Sequence, residues 1–295
     1  MPTPFQLDRP WSRYGIWLAF CGVIFWKPLL RLAEYALHNS EASHILLIPW
    51  IAAWLVYTER RKIVAGRTDL AAAMLVLVPA LALGASVLLG AIASPIDSLS
   101  AVTLSFVLFL IAGFICFFGR ATAKRMRFPL AFLLLIVPLP EGLLGRVIYW
   151  LQAGSSDVAE VLFDWSGTPI LRDGFVFRLP SVSIEVAKEC SGIRSSMALL
   201  ILALLVAHFS FTKLWKQAVF VVAGLLLMLV KNGIRIATLT LLATYVNPDF
   251  LHGSLHRDGG VVFFLIGLAL LWPVYWLLRR GEPVAATTPG APASD

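Results

Sequence analysis

A cysteine, an arginine and a histidine, each beside a long apolar run, are the residues of this chain whose types and spacing suit covalent chemistry. The stretch Ala187-Lys-Glu-Cys-Ser-Gly-Ile-Arg-Ser-Ser places Cys190 where a polar segment meets an apolar one. A cysteine at the start of a helix meets free N–H groups and the positive end of the dipole, and both favour thiolate over thiol. Arg194 follows four residues later, expected one turn deeper on the same face, and adds positive charge. A free thiol has a pKa of about 8.5, and such surroundings lower it by roughly a unit or more. Cys190 is therefore a candidate nucleophile at a water–lipid boundary. The alternative is a small residue fitting a tight loop-to-helix join.

The second stretch is Lys231-Asn-Gly-Ile-Arg-Ile-Ala-Thr, inside an apolar run. Lys231 and Arg235 are four apart, Asn232 and Arg235 three apart, so the three share a helix face. Charge inside a membrane span is costly and usually faces a cavity or a partner. Lys231 has the alternative of snorkelling to an interface. Arg235 has apolar neighbours on both sides, and its donors suit a carboxylate, a thiolate or a developing oxyanion. The third stretch is Leu255-His-Arg-Asp-Gly-Gly, where His256 precedes the last apolar run. An imidazole there serves as general acid or base near neutral pH. His252 competes for that place, and either histidine read alone is also a solvated loop residue. A weaker stretch, Ser43-His-Ile-Leu-Leu-Ile-Pro, offers His44 as a structural residue or as part of the same cavity. His208 and the carboxylates Glu141, Asp173 and Glu189 carry no spacing that promotes them.

The elements that hold these residues follow from composition. The 295 residues are 59% hydrophobic and 14% charged, against roughly 45–50% and about 25% in soluble domains. Mean hydropathy is +0.83. Residues 71–96, 98–118 and 128–140 carry no charge. A bilayer span takes about 17–25 apolar residues, and in lipid the backbone must satisfy its own hydrogen bonds, so such runs become helices. The expected fold is an all-α polytopic membrane protein. Eight spans are expected, near 14–30, 45–58, 71–94, 99–118, 128–140, 191–210, 217–241 and 260–278. The fifth is short and ends in Pro138 and Pro140, which suggests either a span of little tilt or a re-entrant segment. One membrane domain is expected over 1–280, followed by a disordered Pro/Ala/Thr-rich tail, 281–295. No cleavable signal peptide is evident, since no small-residue cleavage site follows the first apolar run.

Net charge is +7, but the basic residues cluster between apolar runs, where topology signals belong, so nucleic acid is not an expected partner. With the N-terminus inside, Arg60–Lys62, Arg120–Arg127, Lys213, Lys216 and Arg279–Arg280 all fall on one side. Fewer fall on the other, and the positive-inside rule then puts both termini in the cytoplasm. Segments 141–190 and 242–259 face outward. The first is expected to hold an amphipathic helix with Leu143, Leu144, Val147, Ile148 and Leu151 on one side. A small β-hairpin is expected next, from the alternation in Phe175-Val-Phe-Arg-Leu and Val182-Ser-Ile-Glu-Val and the turn signals Gly167 and Asp173-Gly174. Cys190, Arg235 and His256 thus converge on the outer face. Arg235 lies some 6–10 residues inside its span, roughly 9–15 Å at the helical rise, at the floor of a water-accessible notch.

The ordered motifs Glu-Cys-Ser-Gly-Ile-Arg, Asn-x-x-Arg-Ile and His-x-x-x-Gly resemble the exosortase/archaeosortase family. So do Ser43-His44 with Leu47-Ile-Pro, and Phe128-Pro-Leu-Ala-Phe-Leu with its Pro-Leu-Pro. The likeness runs from about residue 30 to 275. It implies a membrane cysteine protease and transpeptidase at the outer face of the cytoplasmic (inner) membrane. Implied substrates are exported proteins ending in a PEP-CTERM-like signal: a short motif, a transmembrane helix and a basic tail. The implied acceptor is a membrane lipid or saccharide. The family's catalytic positions map onto Cys190, Arg235 and His256. Histidine in the third place is closer to the bacterial branch. Arg194, Asn232 and His44 are candidates for support or substrate binding, and neither a cofactor nor a metal is expected. Two other classes remain open: a transporter with Lys231 and Arg235 as an anion site, and a noncatalytic assembly factor. A soluble hydrolase is excluded by composition, and no His-Glu-x-x-His helix suggests a metalloprotease.

Overall fold

The computed structural model describes residues 9–64, 68–179, 183–186, 192–247, 250 and 260–280. Among them, six helices are long and apolar enough to cross a membrane, and eight spans result if each of two bent helix pairs counts as one. The chain is an all-α multi-pass membrane protein. It divides into two compact units, Met1–Val147 and Ile148–Asp295.

In the first unit, α1 (Arg9–Ile24) and α2 (Trp26–His38) replace the expected straight span 14–30. They meet at Phe25 at an angle of 72°. A 3₁₀ segment, Ser40–Leu46, leads into α3 (Ile48–Thr58), whose second residue is the helix-starting Pro49. Helix α4 (Leu70–Leu88) is N-capped by Asp69, and α5 (Pro95–Arg125) by Ser94. Small residues and polar groups join these helices. Ser105 Oγ donates to Ala80 O at 2.7 Å, and Trp17 Nε1 to Phe109 O at 2.9 Å. A Cβ at Gly113 would lie 2.3 Å from the Trp17 ring, so glycine is what lets the indole lie on α5. Between lipid-facing helices, which gain little from burying apolar surface, such contacts provide the cohesion.

The expected fifth span, 128–140, is not a straight crossing. Helix α6 (Arg127–Phe132) passes into a 3₁₀ turn, Leu133–Ile136, and the chain then bends by 94° into α7 (Glu141–Trp165). Pro138 and Pro140 lie in the bend, where missing N–H groups and steric conflict with the preceding residue stop a helix.

The division between the units falls within α7. In the second unit, β1 (Leu171–Asp173), β2 (Val176–Arg178) and β3 (Ser183–Glu185) form an antiparallel sheet in the order β1-β2-β3. The expected hairpin is the β2–β3 pair, with Phe177 opposite Ile184, and β1 extends it across the Asp173-Gly174 turn. Gly174 has φ 61°, the left-handed conformation that such a turn demands. Phe177 and Val186 pack on Ala159 and Phe163 of α7, and on Ile236 and Ala237 of a later helix. Arg172 pins β1 to α7 through Asp157 at 2.8 Å and Glu160 at 2.5 Å. Burial works against charge at Arg172, but these two carboxylates outweigh it and raise its pKa.

Helices α8 (Ile193–Ser210), α9 (Leu214–Tyr245) and α10 (Gly260–Arg279) pack through Leu199, Ala203, Phe220, Met228 and Leu271. Lys216 near the start of α9 donates to Leu278 O at 2.7 Å, capping the end of α10.

Candidate active site

Helix α7 supplies one wall of the site. Of the expected apolar face, Leu143 is exposed, Leu144, Val147 and Leu151 are half-buried and Ile148 is buried, while Trp150 beside them is 75% accessible. The buried face carries Ile148, Gln152, Ser155, Ser156, Ala159 and Phe163. Small side chains on that face let helices approach closely. Glycines show how closely α7 meets α9. A Cβ at Gly233 would lie 2.5 Å from Val158 Cγ1 and 3.0 Å from the Ser155 carbonyl oxygen. A Cβ at Gly154 would lie 2.9 Å from Leu229 Cδ1.

This contact buries the polar face of α9. Asn232 is 1% exposed and donates from Nδ2 to Ser155 Oγ at 3.1 Å. Lys231, also 1% exposed, does not snorkel to an interface. Its Nζ donates to Ser195 Oγ on α8, and its aliphatic stem passes beside Gly267 of α10. Ser195 Oγ in turn donates to Gly192 O at 3.1 Å. Arg235, one turn beyond Lys231, is half-buried and lies ten residues before Tyr245, the end of α9. Arg235 thus follows a buried lysine and a buried amide on the same helix face.

The start of α8 is fixed by the same residues. Gly192 is its N-cap in the left-handed conformation, φ 71°. A Cβ there would lie 2.6 Å from Asn232 Oδ1. Glycine is needed twice: for the backbone turn, and for the approach of Asn232. The helix therefore begins at Ile193. Arg194 is exposed. On the other side of the Cys190 segment, Gln152 Nε2 donates to Val186 O at 2.7 Å, and Val186 N to Phe175 O at 2.9 Å. Ser156 and Ser196 bury hydroxyls that have no hydrogen-bond partner among the described residues.

Cys190, His252 and His256 lie outside the described residues. His44 belongs to the first unit, in the 3₁₀ segment before α3. Its Nδ1 carries the proton and donates to Glu41 O at 3.1 Å, leaving Nε2 as the acceptor. The structure thus brings together Lys231, Asn232 and the start of α8, with Arg235 one turn along. Ser155, Gln152 and Ser195 are contributors that motif reading misses. Their signal is polar residues at three- and four-residue spacing in Gln152-Ala-Gly-Ser-Ser, and the adjacent Ser195-Ser pair at the start of an apolar run.

No curated protein and no solved structure gives a significant match. Residues 36–273 match the family described as transmembrane exosortase, a span that takes in the 3₁₀ segment with His44, the whole of α7 to α9 and most of α10. The chain is a multi-pass membrane protein that belongs to the transmembrane exosortase family.

Proposed function

We propose that this protein is a cysteine-type transpeptidase that cleaves a C-terminal sorting signal from exported proteins and transfers them to an acceptor. Cys190, Arg235 and His256 are the proposed catalytic residues. One observation carries the proposal: the chain belongs to a family of membrane cysteine-type transpeptidases, and its buried Lys231–Asn232 pair grips the first turn of α8, two residues after Cys190. Chain connectivity keeps the Cys190 Cα within roughly 7 Å of the Gly192 Cα. Anchors at Val186 and Gly192 bound the segment on both sides, which suits a nucleophile that must be held in one place.

In the proposed reaction the Cys190 thiolate attacks a peptide carbonyl of the sorting signal. The guanidinium of Arg235 stabilises the resulting oxyanion. His256 gives a proton to the departing amine, the C–N bond breaks, and a thioester remains on Cys190. His256 then takes a proton from the acceptor nucleophile, which displaces the thiolate and forms the new bond. In the second unit, the exposed guanidinium of Arg194 supports substrate binding and Asn232 supports the site by holding the start of α8; His44 is a separate candidate for substrate binding in the first unit. The protein works in the cytoplasmic membrane with this site on the outer side. Its partners are exported proteins bearing a motif, a membrane helix and a basic tail, with a lipid or saccharide acceptor.

The test is interception of the thioester. Purified protein is incubated with a sorting-signal peptide and hydroxylamine. A C-terminal hydroxamate that requires Cys190 and is absent in Cys190→Ser supports the reading. A hydrolysed product formed equally by Cys190→Ser refutes it.

A further inference from the structure

In the first unit the 72° bend at Phe25 opens a groove of about 1140 Å³ between the end of α1, α2, α4 and α5. That exceeds the roughly 300–1,000 Å³ of ordinary small-ligand pockets. Its walls are small or apolar, including Ala80, Gly84, Val102 and Phe109. Lys27 and Arg31 are the charged residues lining it. They stand four apart on α2, hence on one face, and Tyr35 continues the stripe one turn on. Both cations are exposed, and neither has an ion pair or hydrogen bond among the described residues. Among the described residues no carboxylate lines the groove: Glu34 is exposed on α2, Asp97 accepts from Glu141 N at 2.7 Å, and Glu41, which acts electrostatically on Tyr35, stands in the 3₁₀ segment beyond it.

We infer that this groove binds an anionic diacyl phospholipid, with its phosphate between Lys27 and Arg31 and its acyl chains against α4 and α5. An apolar trough ending in two cations without a carboxylate complements an amphiphile with one negative end. Arginine holds a phosphate with two parallel N–H bonds, and lysine adds a point charge. Helix α2 itself has the make-up of an interfacial helix. It buries Leu32 and Ala36, carries basic residues on another face, and exposes Trp26 by 61% at its start. Its bend away from α1 brings that cationic face over the groove. The site belongs to the first unit and does not depend on the peptidase reading.

The test uses the full-length protein in non-ionic detergent and phosphatidylglycerol carrying a photoreactive acyl chain. Labelling is mapped to peptides and competed with unlabelled phosphatidylglycerol, phosphatidylcholine or inorganic phosphate. Labelling is expected on α2, α4 and α5, with phosphatidylglycerol competing roughly 30-fold better than phosphatidylcholine, as two cations at about fivefold each would give. Lys27→Gln with Arg31→Gln should abolish that preference, and Leu81→Trp should reduce labelling by filling the trough with the charges intact. Labelling spread evenly over all lipid-facing helices overturns the inference, as does equal competition by phosphatidylcholine. Displacement by inorganic phosphate alone also overturns it, since the cations would then hold a free anion.

Discussion

Gly192→Ala tests the packing at the start of α8 with a magnitude that the geometry supplies. At φ 71° an L residue pays a conformational penalty of roughly 1–2 kcal/mol. The added Cβ also meets Asn232 Oδ1 at 2.6 Å. Overpacking of this kind costs about 1–3 kcal/mol, so the whole effect is about 2–5 kcal/mol. Asn232→Ala removes the obstructing atom and, with it, the 3.1 Å hydrogen bond to Ser155 Oγ. In that background Gly192→Ala should retain only the conformational part. Unfolding free energies of the wild type, both single variants and the double variant, titrated with SDS in mixed micelles, give the coupling directly. A favourable coupling of about 1–3 kcal/mol is expected. Additivity within roughly 0.5 kcal/mol would refute the contact, because distant, independent sites behave that way.

Three further outcomes follow from the same geometry. Ser195→Ala strands the buried Lys231 ammonium, so it should destabilise by about 1–3 kcal/mol, and adding Lys231→Met should recover part of that loss in the same SDS titration. Gly233→Val drives a side chain into Val158 and the Ser155 carbonyl, so it should separate α7 from α9 and lower the folded yield. Val158→Ala should restore that yield only in part, because the 3.0 Å backbone contact remains. Replacing both Asp157 and Glu160 by their amides should release β1 from α7, faster amide exchange in 171–178 being the readout, while helix exchange stays unchanged. Stability should change by only about 1 kcal/mol or less, since both carboxylates are largely exposed.

The membrane fold is legible in the sequence because lipid enforces it. Uncharged runs of span length have no other stable structure, and α4, α5, α8, α9 and α10 fall close to where those runs place them. The bend at Phe25 has its cue in Pro28, whose ring conflicts with the carbonyl of Ile24 and removes the hydrogen bond to it, but the apolar run continues past it and hides the break. The fifth span fails at Pro138 and Pro140, where the sequence carries the physical cause openly. Helix α7 is the instructive case. Its apolar periodicity is easy to see, but the part that builds the site lies farther along the helix and is marked by serine, glycine and glutamine. Arg235 and Asn232 declare themselves as polar residues inside an apolar run. The Lys231–Ser195 contact does not, since it joins residues 36 positions apart. Gly192 is readable as a helix cap, whereas its second role against Asn232 appears only once α8 and α9 are packed.

The proposal that Cys190 is the nucleophile meets its most direct test in the cell. A tagged host protein with a C-terminal motif, membrane helix and basic tail is followed in cells carrying the wild type or Cys190→Ala at equal membrane expression. The tail should be removed by the wild type and remain attached in the variant, with Arg235→Ala and His256→Ala also defective. Equal removal of the tail in Cys190→Ala would contradict the nucleophile assignment and favour a docking or transport role for the buried Lys231, Asn232 and Arg235.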